Sequence, residues 1–162
     1  MDDRLFLDVC ARQYTALFDM IRGLLEACPD LLWNRAEGEA PFWQQAYHTL
    51  FYCDLYLSDS PQVFAPHLVG RGQAQDLGQS PDFALSRDEL IGYLEAVRAK
   101  LAARLERLDP GGLEGENPFE WTGPTAAHNL VYNLRHAQHH CGWMASILRR
   151  NGAVPPKWIC TA

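Results

Sequence analysis

The feature that most limits what this chain can fold into is the spacing of its apolar residues. They recur every three or four positions along separate stretches, and nowhere form the two-residue alternation of a half-buried strand. From Asp3 to about Cys28, the residues Phe6, Leu7, Cys10, Tyr14, Leu17, Phe18, Ile21, Leu24 and Leu25 trace one face of an amphipathic helix, which Cys28-Pro29-Asp30 ends. Phe42 to Leu57 is apolar on nearly every side and holds no Pro or Gly, so a helix there must be mostly buried. Ser86-Arg87-Asp88-Glu89 reads as a capping box that opens a third helix, through Leu90, Leu94, Val97, Leu101 and Leu105 to about Leu108, where Asp109-Pro110-Gly111-Gly112 breaks it. Thr125 is placed to cap a fourth, which runs to Asn151-Gly152 with Arg149 and Arg150 in the last turn, where cations suit the helix dipole.

A polar stretch with Gly38 and Pro41 separates the first two helices. Residues 58–85 carry Pro61, Pro66, Gly70, Gly72, Gly78 and Pro81, and read as a long connection with one short helical turn. A second irregular segment holds Pro118, Gly123 and Pro124. Four long helices with two long connections predict an all-α fold, a four-helix bundle with long crossover connections, as a single domain over residues 1–162. A chain of 162 residues can bury about two-thirds of its unfolded surface, so it needs no disulfide or metal staple, and any bound metal would serve chemistry.

Fourteen Lys and Arg against twenty Asp and Glu give a net charge of −6, which opposes contact with phosphate backbones and anionic lipids, so neither nucleic acid nor a membrane is expected as a partner. No apolar run approaches the ~20 residues of a membrane span, and the chain opens on Asp2 and Asp3 where a secretory signal would carry basic residues; a cytoplasmic protein is expected. Cys10, Cys28, Cys53, Cys141 and Cys160 are scattered and form no C-x-x-C pair, so they read as small buried or unremarkable thiols.

The histidines carry the chemical signal. Four of six lie on the last helix, at His128, His136, His139 and His140. Taking 100° per residue, Leu130, Leu134, Ala137, Cys141, Met144 and Leu148 form that helix's apolar stripe. His136 and His140 lie beside the stripe, whereas His128 and His139 fall opposite it with Arg135, Gln138 and Arg150 and are expected to be solvated. Imidazoles four apart project from one side of a helix about 6 Å apart and can share a divalent ion. His48, inside the buried second helix, is the expected third ligand, because an unpartnered histidine there would carry a desolvation penalty; His67, in the long connection, has no such constraint.

Other metal chemistries lack their residues. Ala137 follows His136 where a zincin needs Glu, and no C-x-x-C-H is present for a c-type haem. A di-iron bundle needs glutamates, but the only acid in the second and last helices is Asp54, about 240° around the helix from His48, so it is expected to accept hydrogen bonds from another helix. A mononuclear three-histidine site with open positions remains, the arrangement of catalytic sites.

The pieces in this order, with the second helix PFWQQAYHTLFYCDLYL and HAQHHCGWM in the last, resemble the DinB-like (damage-inducible, YfiT-like) four-helix bundles over nearly the whole chain. The resemblance implies a divalent metal held by His48, His136 and His140, and imidazole ligands suit zinc or nickel. It also implies a low-molecular-weight thiol as co-substrate, a small-molecule substrate, a homodimer, and a thiol-dependent S-transferase or isomerase activity; a hydrolase-like metalloenzyme is the other enzymatic expectation. Cys141 stands where the family's last helix commonly carries Arg, a departure that bears on any anion-binding role there; by its position it belongs to the core. Phe42, Trp43, Tyr47 and Trp143 are expected around the site, where they would suit a small apolar electrophile or simply pack the core. The rival expectation is a non-enzymatic binding or scaffold bundle whose histidines hold a structural ion or none.

Overall fold

The computed structural model describes residues 2–36, 40–68, 73–108 and 111–160. Gly38, Gly70, Gly72, Asp109 and Pro110, read above as loop and breaker positions, lie outside the described residues. Among the described residues five α-helices form, α1 Asp3–Ala27, α2 Asp30–Trp33, α3 Phe42–Tyr56, α4 Arg87–Arg107 and α5 Ala126–Arg150, with a 3₁₀ turn at Glu120–Thr122. The fold is an all-α bundle, as the periodicity predicts, and the four long helices end within a residue or two of their expected limits. Among the described residues no helix is long and apolar enough to cross a membrane.

The signals read at the helix starts act as capping does. Asp2 accepts from the Arg4 N–H at 2.9 Å. Ser86 and Glu89 form a full capping box at α4, and Thr125 accepts from the His128 N–H. The single-turn α2 is an addition to the expected four: Pro29 pre-sets its entry, and its buried Trp33 donates Nε1–H to the Leu85 carbonyl at 2.7 Å.

α1 packs on α4 and α5, and α3 packs on the same two, so α1 and α3 sit across the bundle from each other. Cross-helix bonds fix the directions. Arg22 pairs with Glu95 and Arg98 with Asp19, so α1 and α4 are antiparallel. The Tyr14 hydroxyl donates to the Leu130 carbonyl at 2.8 Å, and Met20 and Leu24 line a recess with Cys141 and Ala145, so α1 and α5 run parallel. Tyr47 meets Tyr93 while Lys100 reaches Asp54, so α3 and α4 are parallel as well. Parallel successive helices must be joined by a chain that returns the length of the bundle, here about 22 Å for the fifteen residues of α3. That is the physical reason for the long connection of residues 57–86. It is anchored by the buried side chains of Ala74 and Leu85. After α5 the tail doubles back, and Pro156 comes so near α1 that a Cβ at Gly23 would lie 3.0 Å from it.

Candidate metal centre

α3 and α5 form the most extensive helix pair of the bundle and run antiparallel, so their side chains meet in a ladder: Asn129 donates to the Tyr56 carbonyl, Asn133 to that of Cys53, and His140 lies beside His48. This ladder brings His48, His136 and His140 together. One ligand-type atom from each lies within 4.8 Å of the other two. The ring centroids are 4.4 Å apart for His48 and His140, 4.7 Å for His136 and His140, and 5.4 Å for His48 and His136. Corners of an equilateral triangle with a 4.8 Å edge lie about 2.8 Å from its centre, so shifts of under an ångström would bring three nitrogens to the ~2.0–2.1 Å of a metal–imidazole bond.

The protonation states suit ligation. His48 Nδ1 lies 2.6 Å from the Gln75 carbonyl oxygen, which only accepts, so Nδ1 carries the proton and Nε2 keeps the ring's lone pair. Burial lowers the His48 pKa below its ordinary value. Burial, reinforced by the neighbouring imidazoles, takes His136 down to about 4 and His140 to about 3. All three rings are therefore neutral at pH 7.

Among the described residues, hydrogen-bonding capacity is left over on the triad and on glutamines of α3 and of the segment that holds His48. Nδ1 of His136 and of His140 is buried without a hydrogen-bond partner, as are Oε1 of Gln44 and Gln45, within one turn of His48, and Oε1 of Gln75. Buried polar groups are normally satisfied, and amide oxygens can only accept. Three neutral rings whose ligand-type atoms converge, two of them with Nδ1 unpartnered among the described residues, leave ring nitrogens available, so the residues present fit a divalent ion.

The other sequence expectations resolve differently. His128 and His139 are exposed. His139 lines a groove of about 610 Å³ along the α1–α5 seam with Leu17, Leu134 and Trp158. His67 stacks on Tyr93 outside the triad. Cys141 is buried, and its thiol is pushed up to about 12 by burial, so it is core and no nucleophile. Asp54 accepts from the Tyr93 hydroxyl of α4 at 2.9 Å and from Lys100, as its place on the helix suggests.

Of the two expectations for the aromatic residues, core packing holds for Phe42, Trp43 and Tyr47. Phe42, Trp43 and Tyr47 are core residues paired with Trp33, Phe83 and Tyr93, and Trp143 is 42% exposed. The rings against the triad are Tyr52, 4.7 Å from His48 and 5.5 Å from His136, Tyr56, edge-on to His136, and Tyr132, stacked on His136. A signal for them was available: 48, 52 and 56 step along α3 in fours, as 132, 136 and 140 do along α5.

No curated protein matches the chain in sequence. A family model described as the DinB superfamily matches residues 13–144, a span that contains the whole of α3 and α4, all three converging histidines and most of α1 and α5. With that match over most of its length, an all-helical fold and the histidines where the bundle brings α3 against α5, the chain belongs to the DinB superfamily.

Proposed function

We propose that His48, His136 and His140 hold one divalent ion, zinc or nickel, and that the protein is a metal-dependent S-transferase joining a low-molecular-weight thiol to a small apolar electrophile. The observation that carries this reading is the convergence of three imidazoles, in a group that no carboxylate joins among the described residues. A divalent ion held by neutral ligands alone keeps its full charge and supplies acidification of a thiol, whose unperturbed pKa near 8.5 otherwise leaves only a few per cent ionised at pH 7.

The chain's own residues do the rest. His48 is held in one tautomer by Gln75, and His136 and His140 are held one helical turn apart on α5. Tyr52, Tyr56 and Tyr132 pack against His48 and His136, and the half-buried Tyr52 and Tyr132 offer rings against which an apolar substrate can leave water. In the reaction a sulfur–carbon bond forms as the bond from that carbon to its leaving group breaks. The leaving group departs with the bonding pair, and the thiol proton passes to solvent. No cysteine of the chain is needed.

The test begins with metal analysis of protein purified without chelator or nickel resin. Glutathione, bacillithiol, mycothiol and coenzyme A are then assayed with monochlorobimane, comparing the metal-loaded protein with His48→Ala. A thiol-dependent rate that falls with the metal in His48→Ala is expected. Equal rates for both proteins with every thiol would remove the S-transferase reading. Metal that is bound but affects only stability would point to a structural ion.

A further inference from the structure

His48 shares its stripe of α3 with Gln44, one turn earlier. Gln44 is fully buried, and its Nε2 donates to two backbone carbonyls, Asp76 at 2.9 Å and Gln79 at 3.0 Å. The carbonyl just before Asp76, that of Gln75, is the acceptor for His48 Nδ1. Two α3 side chains a turn apart thus grip three carbonyls of one short segment.

That segment is closed on itself. The Asp76 N–H donates to the Gln73 carbonyl, Gly78 N–H to the Asp76 carboxylate, and Gln79 N–H to the Asp76 carbonyl. It therefore moves as a unit, and its buried apolar anchor is the single methyl of Ala74. Without the Gln44 amide, the side-chain hydrogen bond from α3 that remains to this segment among the described residues is the one from the ring that the Gln75 carbonyl has to orient. Such a carbonyl cannot hold a histidine tautomer firmly, because it would move with the imidazole.

Resting on the metal reading above, we propose that Gln44 is a positioning residue for His48. By fixing residues 73–79 against α3 it holds the Gln75 carbonyl on Nδ1–H, and so keeps the Nε2 lone pair available for the ion. Groups that orient a metal-binding histidine are typically worth 10–100-fold in metal affinity. Gln44 acts through one intervening segment, so an effect near the lower end, about tenfold, is expected.

The experiment compares wild type with Gln44→Met, which keeps the volume and loses both donors, and with Thr49→Val. The latter removes another fully buried hydrogen bond of α3, from the Thr49 hydroxyl to the Gln45 carbonyl, without touching the segment. Long-range ¹H–¹⁵N spectra of the metal-free proteins at pH 7.5 report the His48 tautomer. Competition with a chromophoric chelator gives zinc and nickel dissociation constants. A mixture of His48 tautomers and about tenfold weaker binding in Q44M, with T49V like wild type, is expected. A pure Nδ1–H tautomer in Q44M, equal changes in T49V, or Q44M affinity within twofold of wild type would overturn the proposal. If wild type binds neither ion, the metal reading falls by itself and the tautomer comparison alone decides the role of Gln44. Should Q44M not fold, Gln44→Asn, too short to span both carbonyls, is read by the same criteria.

Discussion

The pair formed by Asp54 and Lys100 allows a sharp test of how the α3–α4 seam is held. The Asp54 side chain is 6% exposed, and that of Lys100 is 31% exposed. The carboxylate accepts from the Tyr93 hydroxyl and from Lys100, while the ammonium also reaches the Asp54 carbonyl at 2.9 Å and the Ser58 hydroxyl at 2.8 Å. The two partners are therefore not equivalent when orphaned. Lys100→Met leaves a buried negative charge with one hydroxyl donor, and removing one partner of a buried pair costs about 3–5 kcal/mol. Because Lys100 reaches water, some solvent can enter in its place, and about 3 kcal/mol is expected. Asp54→Asn keeps an oxygen for Tyr93 and leaves the ammonium with two oxygens and water. It loses one charge-assisted hydrogen bond, about 1.5 kcal/mol. With a urea slope of about 2 kcal/mol per molar, the midpoints should fall by about 1.5 M and 0.75 M. These are measured with chelator present so that bound metal does not contribute. In the double variant, Lys100→Met should add less than about 1 kcal/mol, since no charge remains to be orphaned. Equal costs for the two single variants, or additivity within about 0.5 kcal/mol, would refute the assignment of the cost to the buried carboxylate.

Three further outcomes are expected. His136 and His140 are neutral in the folded protein with pKa values lowered to about 4 and 3, so as pH falls the unfolded chain takes up protons first, below about 6.5. Metal-free protein should keep their full contribution above that pH and lose urea resistance from 6.5 to 5, before the carboxylates titrate; a flat profile there would contradict the burial of these rings. Zinc at one hundred times its dissociation constant should stabilise the protein by about 2.7 kcal/mol, raising Tm by roughly 5–10 °C in a thermal scan, and His140→Ala should abolish the rise. Gly123 has φ +121°, and a Cβ there would lie 2.7 Å from the His128 side chain, so Gly123→Ala should cost about 2 kcal/mol by urea titration; a cost under about 0.5 kcal/mol would mean that the turn before α5 rearranges freely.

The long helices were legible because each announces itself over fifteen or more residues, by period and by a cap such as Ser86 with Glu89. Four residues hold barely one turn of pattern, so α2 left no trace. The facing of α5 could be worked out because its polar and apolar sides differ, and His136 and His140 separate from His128 and His139 on that ground alone. α3 offers no such contrast. A helix buried on nearly every side gives no direction, so its pattern does not separate Phe42, Trp43 and Tyr47, which pack in the core, from Tyr52 and Tyr56, which lie against the triad. The acceptor that fixes His48 is a backbone carbonyl, which every residue has. Nothing in the side chain of Gln75 marks it for that role.

The parallel packing of the first and last helices has a consequence for the order in which the molecule can come into being. The Tyr14 hydroxyl meets a carbonyl 116 residues later, and α5 begins only at Ala126. During synthesis, at about 5–20 residues per second, the α1 face that will receive α5 must wait several seconds before its partner leaves the ribosome. α1 and α4 can pair in the interval, and α3 can lie against α4, but these three helices make only a trough. α5, Ala126–Arg150, supplies both the fourth wall and two of the three converging histidines. A nascent chain therefore keeps its apolar interior uncovered until α5 has emerged, and the three imidazoles come together only with the closing of the bundle.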